Sequence, residues 1–506
     1  METNTTLNQK LQYVRQILTL AEKYDHAVNV LSYDQETICP PDAMEEQGEV
    51  WAFLNNQSYK LIKEPAFIEA AEYLYEHREE LEEFDRVMAE QLHRNYLQTK
   101  NVTPELQHEF MLTFNRAFVN WSKARETGDY SLFAPSLKEV AQTNERMIEL
   151  RGADAAGNTP YDALLDDYER GMTSEVLDEA FGACKERLIP LLEKIKRSPK
   201  KIRTDFLRRR VDEEQQAKMA KWLLTQMGFN FNRGAFTTSE HPFTAGMGRF
   251  DTRVTTHYYP NQFLSSMYSI IHEGGHALFD QNQPQENHDH FIIGGKTLGQ
   301  HESVSRFYEN RIGRSEGFAH FLYPKACEMF PEALEGVSEK EFYEALNVVR
   351  PSLIRTEADE FTYTFHIIIR YEIEKALFAG EIKVEDIPAM WNRKYQEYLG
   401  VCPATDREGV LQDVHWTSGF GYFPTYAIGN FYNAMYYNRM KQEVNVDAAI
   451  REGNFEPVNS WMIGHVFAKA DRLSPRDWIK DITGRDFTPV DFLDYLEEKY
   501  SGIYEL

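Results

Sequence analysis

Cysteine is scarce in this chain of 506 residues. The four present, Cys39, Cys184, Cys327 and Cys402, lie far apart and form no C-x-x-C pair, which excludes a disulfide framework and a cysteine metal site. A reducing compartment fits that usage. Long apolar runs are missing too: no segment approaches the roughly 18 uninterrupted apolar residues of a membrane helix. Met1 to Leu20, with Glu2, Lys10 and Arg15 among polar residues, has no apolar signal core. The expectation is a cytoplasmic protein with no membrane partner. A basic surplus is absent as well. Lys and Arg number 55 against 80 Asp and Glu, a net charge of −25, so nucleic acid, whose phosphates need clustered cations, is excluded as a partner. The same field opposes any anionic substrate, and a peptide's free carboxylate would need a specific Arg to hold it. Internal repeats and low-complexity tracts are not found.

Hydrophobic residues make up 42% and aromatic residues 13% of the chain, enough for a sizeable core and too many for a disordered chain. Apolar residues recur at spacings of three and four through most of the first 230 residues, as in Leu11, Val14, Ile17, Leu18 and Ala21, so the fold is expected to be mostly helical. Thr103 with Pro104 and Glu105 opens a helix into Leu106 and Phe110, and Thr173 with Ser174 and Glu175 opens one over Val176 to Leu192. Breaks fall at Cys39-Pro40-Pro41, from Arg151-Gly152 to Thr159-Pro160, and around Thr237 to Gly248. None resembles a long linker. The expected architecture is one elongated helical body, residues 1–506, with a helical lobe over 1–230 and a metal-bearing lobe over 231–506. Strands are expected between Ala235 and His257, where Asp251-Thr252-Arg253-Val254-Thr255-Thr256 is β-branched and alternating. A small hairpin there either walls a cleft and pairs with an extended peptide or is an ordinary surface hairpin.

Residues 271 to 279 read Ile-His-Glu-Gly-Gly-His-Ala-Leu-Phe, an H-E-x-x-H pentad. On a helix His272 and His276 share one face and can reach one ion, while Glu273 points at a water in an open coordination position. The competing reading is two histidines and a carboxylate on a solvated face. Catalytic zinc keeps three protein ligands, and the third is expected from His301-Glu302-Ser303-Val304-Ser305-Arg306. Glu302 is preferred, with His301 as rival. Arg306 and Glu309 share its helical face and can orient it. Gly274 and Gly275 each cost a helix about 1 kcal/mol relative to Ala, which points to close approach by another backbone or by substrate, a plain kink being the alternative.

Peptide hydrolysis then assigns further roles. Glu273 takes the water's proton and returns it to the leaving nitrogen. His415 and Tyr422 can each donate to the developing oxyanion, with Tyr426 as rival to Tyr422 or as a substrate contact. A bidentate Arg suits a free terminus; Arg350, just before Pro351, sits at an expected helix entrance and is preferred. Arg355 is the alternative, with Glu357 and Asp359 near enough in sequence to hold it. His241, between Glu240 and Pro242, binds substrate backbone or is a structural histidine.

Together these segments resemble the carboxypeptidase Taq family of zinc metallocarboxypeptidases. The match includes His241-Pro242-Phe243, Asp251 to Thr255, the pentad, His301 to Arg306, Ile354-Arg355-Thr356-Glu357-Ala358-Asp359 and Gly409-Val410-Leu411-Gln412-Asp413-Val414-His415-Trp416. Gly421-Tyr422-Phe423-Pro424-Thr425-Tyr426 and Tyr33-Asp34-Gln35-Glu36-Thr37 extend it towards both ends. Departures are Tyr33 and Cys39 where the family usually shows Trp and Met, Arg170 where Pro is common, and Arg233-Gly234-Ala235-Phe236 in place of Gly-Arg-Leu-Asp. None touches an expected ligand. The resemblance implies a mostly helical fold with a deep groove, a homodimer, and release of C-terminal residues from peptides with broad specificity. The chain is therefore expected to be a zinc metallocarboxypeptidase with one Zn2+, Co2+ or Mn2+ being able to fill the same site. An oligopeptidase or dipeptidyl carboxypeptidase with this metal site is the alternative. A non-catalytic helical binding protein is a third reading, and the presence of Glu273 argues against it.

Overall fold

The computed structural model describes residues 2–152, 157–292 and 297–506; residues 153–156, inside the break expected before Pro160, lie outside them. The first helix, α1 (Glu2–Thr37), stops ahead of Pro40 and Pro41, which lack the amide hydrogen that would continue it. Then come α2 (Met44–Lys63), α3 (Pro65–Glu76), α4 (Glu83–Thr99), α5 (Pro104–Thr127), α6 (Ala134–Arg151), α7 (Pro160–Tyr168), α8 (Ser174–Arg197) and α9 (Glu213–Met227). The Thr103 side chain accepts from Leu106 N–H and the Thr173 side chain from Val176 N–H, so both expected starts satisfy donors that have no partner within their own helix. The second helix continues past Leu192 to Arg197.

Buried residues form two cores. Leu7 and Val14 from α1, Phe67, Ala70 and Leu74 from α3, and Met88 and Ala89 from α4 make a small one of their own. Helices from α5 onward contribute to a much larger core.

Three strands, β1 (Gly234–Thr238), β2 (Thr244–Gly248) and β3 (Asp251–Thr256), pair in the order β1-β3-β2. β2 and β3 form an antiparallel hairpin with an irregularity between Gly246 and Gly248, and β1 runs parallel to β3. Being flanked on both edges, β3 buries Val254, Thr255 and Thr256 consecutively.

The rest of the chain is helical: α10 (Phe263–Gln281), α11 (Gln285–Asp289), α12 (Leu298–Arg306), α13 (Glu316–Met329), α14 (Glu339–Leu346), α15 (Tyr363–Phe378), α16 (Ile387–Tyr398), α17 (Pro424–Met440), α18 (Val446–Arg451), α19 (Glu456–His465), α20 (Pro475–Thr483) and α21 (Val490–Tyr504). A π-helical turn, Phe307–Ile312, prolongs α12. The fold is thus mostly α with one small sheet, and among the described residues no helix is long and apolar enough to cross a membrane.

Two glycines set the position of α12. A Cβ on Gly275 of α10 would fall 2.8 Å from Ser305 Cα, and one on Gly429 of α17 would fall 3.0 Å from Ser303 N. Backbone therefore meets backbone on both sides of α12. Gly274, in contrast, faces the side chains of Leu224 and Met227. Close approach by another backbone accounts for Gly275, whereas Gly274 meets side chains only. α1 also reaches the sheet, where Asn29 Nδ2 donates to Gly246 O at 3.1 Å and the Tyr33 ring meets Phe243 edge-on at 5.8 Å.

Candidate active site

α10 presents His272 and His276 on one face, and the close seating of α12 brings Glu302 over them. Glu302 Oε2 lies 3.7 Å from His272 Nε2 and 3.5 Å from His276 Nε2. Donor atoms of these three residues all lie within 4.8 Å of one another, the one such set among the described residues. His301, the rival to Glu302, instead stacks on the His276 ring at 4.1 Å and turns Nε2 towards Asp280 Oδ1, 3.9 Å away.

Charged neighbours complete the cluster. His272 Nδ1 is 2.9 Å from Glu309 Oε2, the carboxylate–imidazole contact that fixes the ring of a metal-binding histidine. Glu309 is on the π-helical turn, and Arg306 joins it to Glu302, with Nε donating to Glu302 Oε1 at 2.8 Å and Nη1 to Glu309 Oε2 at 3.2 Å. Burial opposes a charged His272, but Glu302, Glu309 and Glu273 outweigh it and raise the ring to about 9. Burial likewise opposes a charged Glu309, yet Arg306 and His272 bring it down to about 2. Glu302 is pushed below the usual carboxylate range by His272 and Arg306, again against burial. The pocket between these carboxylates favours positive charge, and two imidazoles with one carboxylate are a donor set that fits a divalent cation.

Glu273 follows His272 on α10. Its Oε2 lies 2.8 Å from the Thr244 hydroxyl, which is also 2.9 Å from the Glu273 carbonyl oxygen. β2 thus fixes the carboxylate that the pentad supplies, and no spacing in the sequence signals Thr244. His241 is exposed on the loop between β1 and β2.

The second half of the site comes from residues 413–426. His415 lies in a short 3-10 turn, His415–Thr417, and its Nε2 is 3.3 Å from Tyr426 Oη. The ring of Tyr422 is 5.0 Å from that of His415 and 5.5 Å from that of Tyr426. Burial pushes both phenols above their ordinary range, so both stay O–H donors at neutral pH. Burial also drives His415 down to about 4, helped by Arg355 and Arg370 and opposed by Asp413. At neutral pH it is an uncharged imidazole.

The two candidate arginines differ sharply. Arg350 is exposed beyond α14, where its backbone N–H donates to Asp359 Oδ2 at 2.9 Å and its guanidinium to Thr204 Oγ1 at 3.2 Å; those contacts join it to none of the other candidates. Arg355 is buried at the start of a 3-10 turn, Arg355–Glu357, not on a longer helix. Its partner is Asp413, reached by Nε at 3.0 Å and Nη2 at 2.9 Å, while Nη1 donates to Tyr363 Oη at 3.1 Å. Glu357 and Asp359 do not hold it, although they are nearer in sequence. Its guanidinium lies 4.8 Å from the Tyr426 ring centre, so Arg355 joins the His415, Tyr422 and Tyr426 cluster. Asp413 was visible only as part of a motif; its role as the joint between Arg355 and Arg370 follows from folding.

Known proteins resemble this chain along nearly its whole length. Residues 13–500 match the model of the carboxypeptidase Taq (M32) metallopeptidase family. The chain is 37% identical over 492 residues to carboxypeptidase 1 of Bacillus subtilis, covering 97% of this chain and 98% of that protein. It is 39% identical over 417 residues to thermostable carboxypeptidase 1 of Thermus thermophilus, covering 81% and 82%. The crystal structure of an M32 carboxypeptidase from Deinococcus radiodurans superposes with a TM-score of 0.94 at 28% identity, covering 99% of this chain and 100% of that one.

Proposed function

The chain belongs to the carboxypeptidase Taq (M32) family and is a metallocarboxypeptidase, and on that premise we propose that it removes C-terminal amino acids from peptides, with broad specificity, by zinc-assisted attack of water. The observation that carries the proposal is the convergence of His272, His276 and Glu302 within 4.8 Å, directly beside Glu273. We assign the three as ligands. A divalent cation held by them would supply Lewis-acid chemistry, making a water more acidic and polarising the scissile carbonyl.

Glu273, steadied by Thr244, takes the attacking water's proton and passes it to the leaving nitrogen. His415 and Tyr422 donate to the oxyanion as it forms, without adding a fixed charge; Tyr426 supports His415 from behind. For the terminal carboxylate we assign Arg355 and not Arg350. With Asp413 and Tyr363 engaged, Arg355 retains a free donor on each Nη nitrogen, and it already lies within the aromatic cluster. His241, exposed beside the sheet, is assigned to the backbone of a longer substrate. The whole chain acts as one catalytic unit in this reading.

The test is digestion of an N-blocked dipeptide and its C-terminally amidated form, with and without chelator. Only the free-carboxylate form should be cleaved, and chelation should abolish cleavage. Equal hydrolysis of both forms would sink the carboxypeptidase assignment of substrate, and indifference to chelator would sink the metal assignment.

A further inference from the structure

Glu374 is a fully buried carboxylate on α15, remote in sequence from every residue assigned above. Oε1 accepts from Trp416 Nε1 at 2.6 Å. Oε2 accepts from Gly421 N at 2.9 Å and from Tyr161 Oη at 2.7 Å. Trp416 directly follows His415, and Gly421 directly precedes Tyr422. One carboxylate therefore holds the neighbours of both oxyanion donors, and through Tyr161 it ties them to α7.

The two segments have little room to settle elsewhere. Gly421 has φ +89°, and a Cβ there would lie 2.7 Å from the carbonyl carbon of Leu164 in α7, so the turn that leads into Tyr422 is pressed against helix backbone in a conformation that favours glycine. Tyr168, at the end of the same helix, meets the Tyr422 ring edge-on at 5.3 Å. One turn before Glu374 on α15, Arg370 Nε donates to Asp413 Oδ2 at 2.7 Å. α15 thus grips residues 413–421 at Asp413 by a guanidinium and at Trp416 and Gly421 by a carboxyl group.

An apolar side chain at position 374 would be easier to bury but would leave three donors unpaired. None of those three donors is charged. Burial without a directly contacting cation pushes the Glu374 carboxyl up to about 7, against the pull of its hydrogen bonds to Trp416, Gly421 and Tyr161. A group kept in so unfavourable a place is expected where it fixes a geometry that hydrophobic packing would leave loose. Resting on the reading of His415 and Tyr422 given above, we propose that Glu374 is a positioning residue for the reaction, holding both oxyanion donors in register through Trp416 and Gly421.

The experiment uses the metal-loaded full chain. Glu374→Gln preserves shape but offers an acceptor on one side only, so either Trp416 or the Gly421–Tyr161 pair faces an amide NH2. It should lower kcat about 10- to 100-fold with KM changed less than about threefold and metal content unchanged, the pattern of a lost transition-state geometry. Trp416→Phe removes a single donor while keeping an aromatic ring, and should lower kcat about fivefold or more at constant KM. Parental kcat in both variants overturns the proposal. A loss accompanied by equal changes in KM or by loss of metal assigns Glu374 to general stability and overturns it too. His415→Ala and Tyr422→Phe run alongside. If those two reduce kcat and the Glu374 and Trp416 variants do not, this inference alone fails. If those two are at parental kcat, the oxyanion assignment fails and carries the inference with it.

Discussion

Three kinds of ionisable group meet in the candidate site, and each is held in one protonation state by a different surrounding. Carboxylates Glu302 and Glu309 are kept ionised by cations, phenols Tyr422 and Tyr426 are kept protonated by burial, and His415 is kept neutral by burial together with two arginines. The last has a measurable consequence. An unfolded chain takes up a proton on this ring near 6.5 and the folded one only near 4, so the unfolded state binds more protons between those values. Stability from this group is complete above about 6.5 and is lost as pH falls through the window. At pH 5 the loss amounts to about 2 kcal/mol. His415→Gln should therefore show a fall in unfolding free energy between pH 7.5 and pH 5 that is smaller than the parent's by about that amount, as read from denaturant titrations at the two pH values. Equal falls would mean that the ring is free to charge in the folded protein.

At the level of elements, the site depends on how near α12 comes to its two neighbours. Gly275→Ala would place a methyl 2.8 Å from Ser305 Cα, and overpacking of this kind costs about 1–3 kcal/mol. Because the displaced backbone carries Glu302, the variant should also weaken binding of a divalent metal by about tenfold or more, the scale on which loss of ligand support acts. Thermal unfolding and a competitive chelator titration check the two effects separately. A lower melting temperature with unaltered metal affinity would show that α12 yields at some other point. The helical cost of Gly274 and Gly275 could be read in the sequence, and so could the shared face of Glu302, Arg306 and Glu309, because both are matters of a turn or two. The partner of Gly275 could not. Nor could the approach of Thr244 to Glu273, or of Asp413 to Arg355 and Arg370, since these pairs meet across chain separations that no periodicity encodes. Arg355 shows the limit well: its near neighbours in sequence suggested an ion pair, and the pair it makes is with a residue on a different segment.

For the molecule as a whole, the division of buried residues into two cores predicts uneven stability. Leu74 is fully buried in the small core, and Leu74→Ala should cost about 2–5 kcal/mol there. Hydrogen exchange should accelerate in α1, α3 and α4 while α10 and α12 keep their protection. Faster exchange spreading into α10 and α12 would mean that both cores open together. The helical class was legible from apolar spacing, and the strands around Asp251 to Thr256 from alternation. The separate core of α1, α3 and α4 was not, because spacing tells which face of a helix is apolar and not which helix will cover it.

α1 belongs to both regions at once. Val14 is set in the small core, and Asn29, roughly 22 Å further along at 1.5 Å per residue, is bonded to β2 at Gly246, on the strand that also carries Thr244. A stiff helix seated at both places couples them. Tilting it by about 8° at Val14 would sweep Asn29 through about 3 Å, the full reach of a hydrogen bond. A shift of α1 in the small core is therefore expected to be felt at the strand that steadies Glu273, although α1 itself carries none of the candidate site residues.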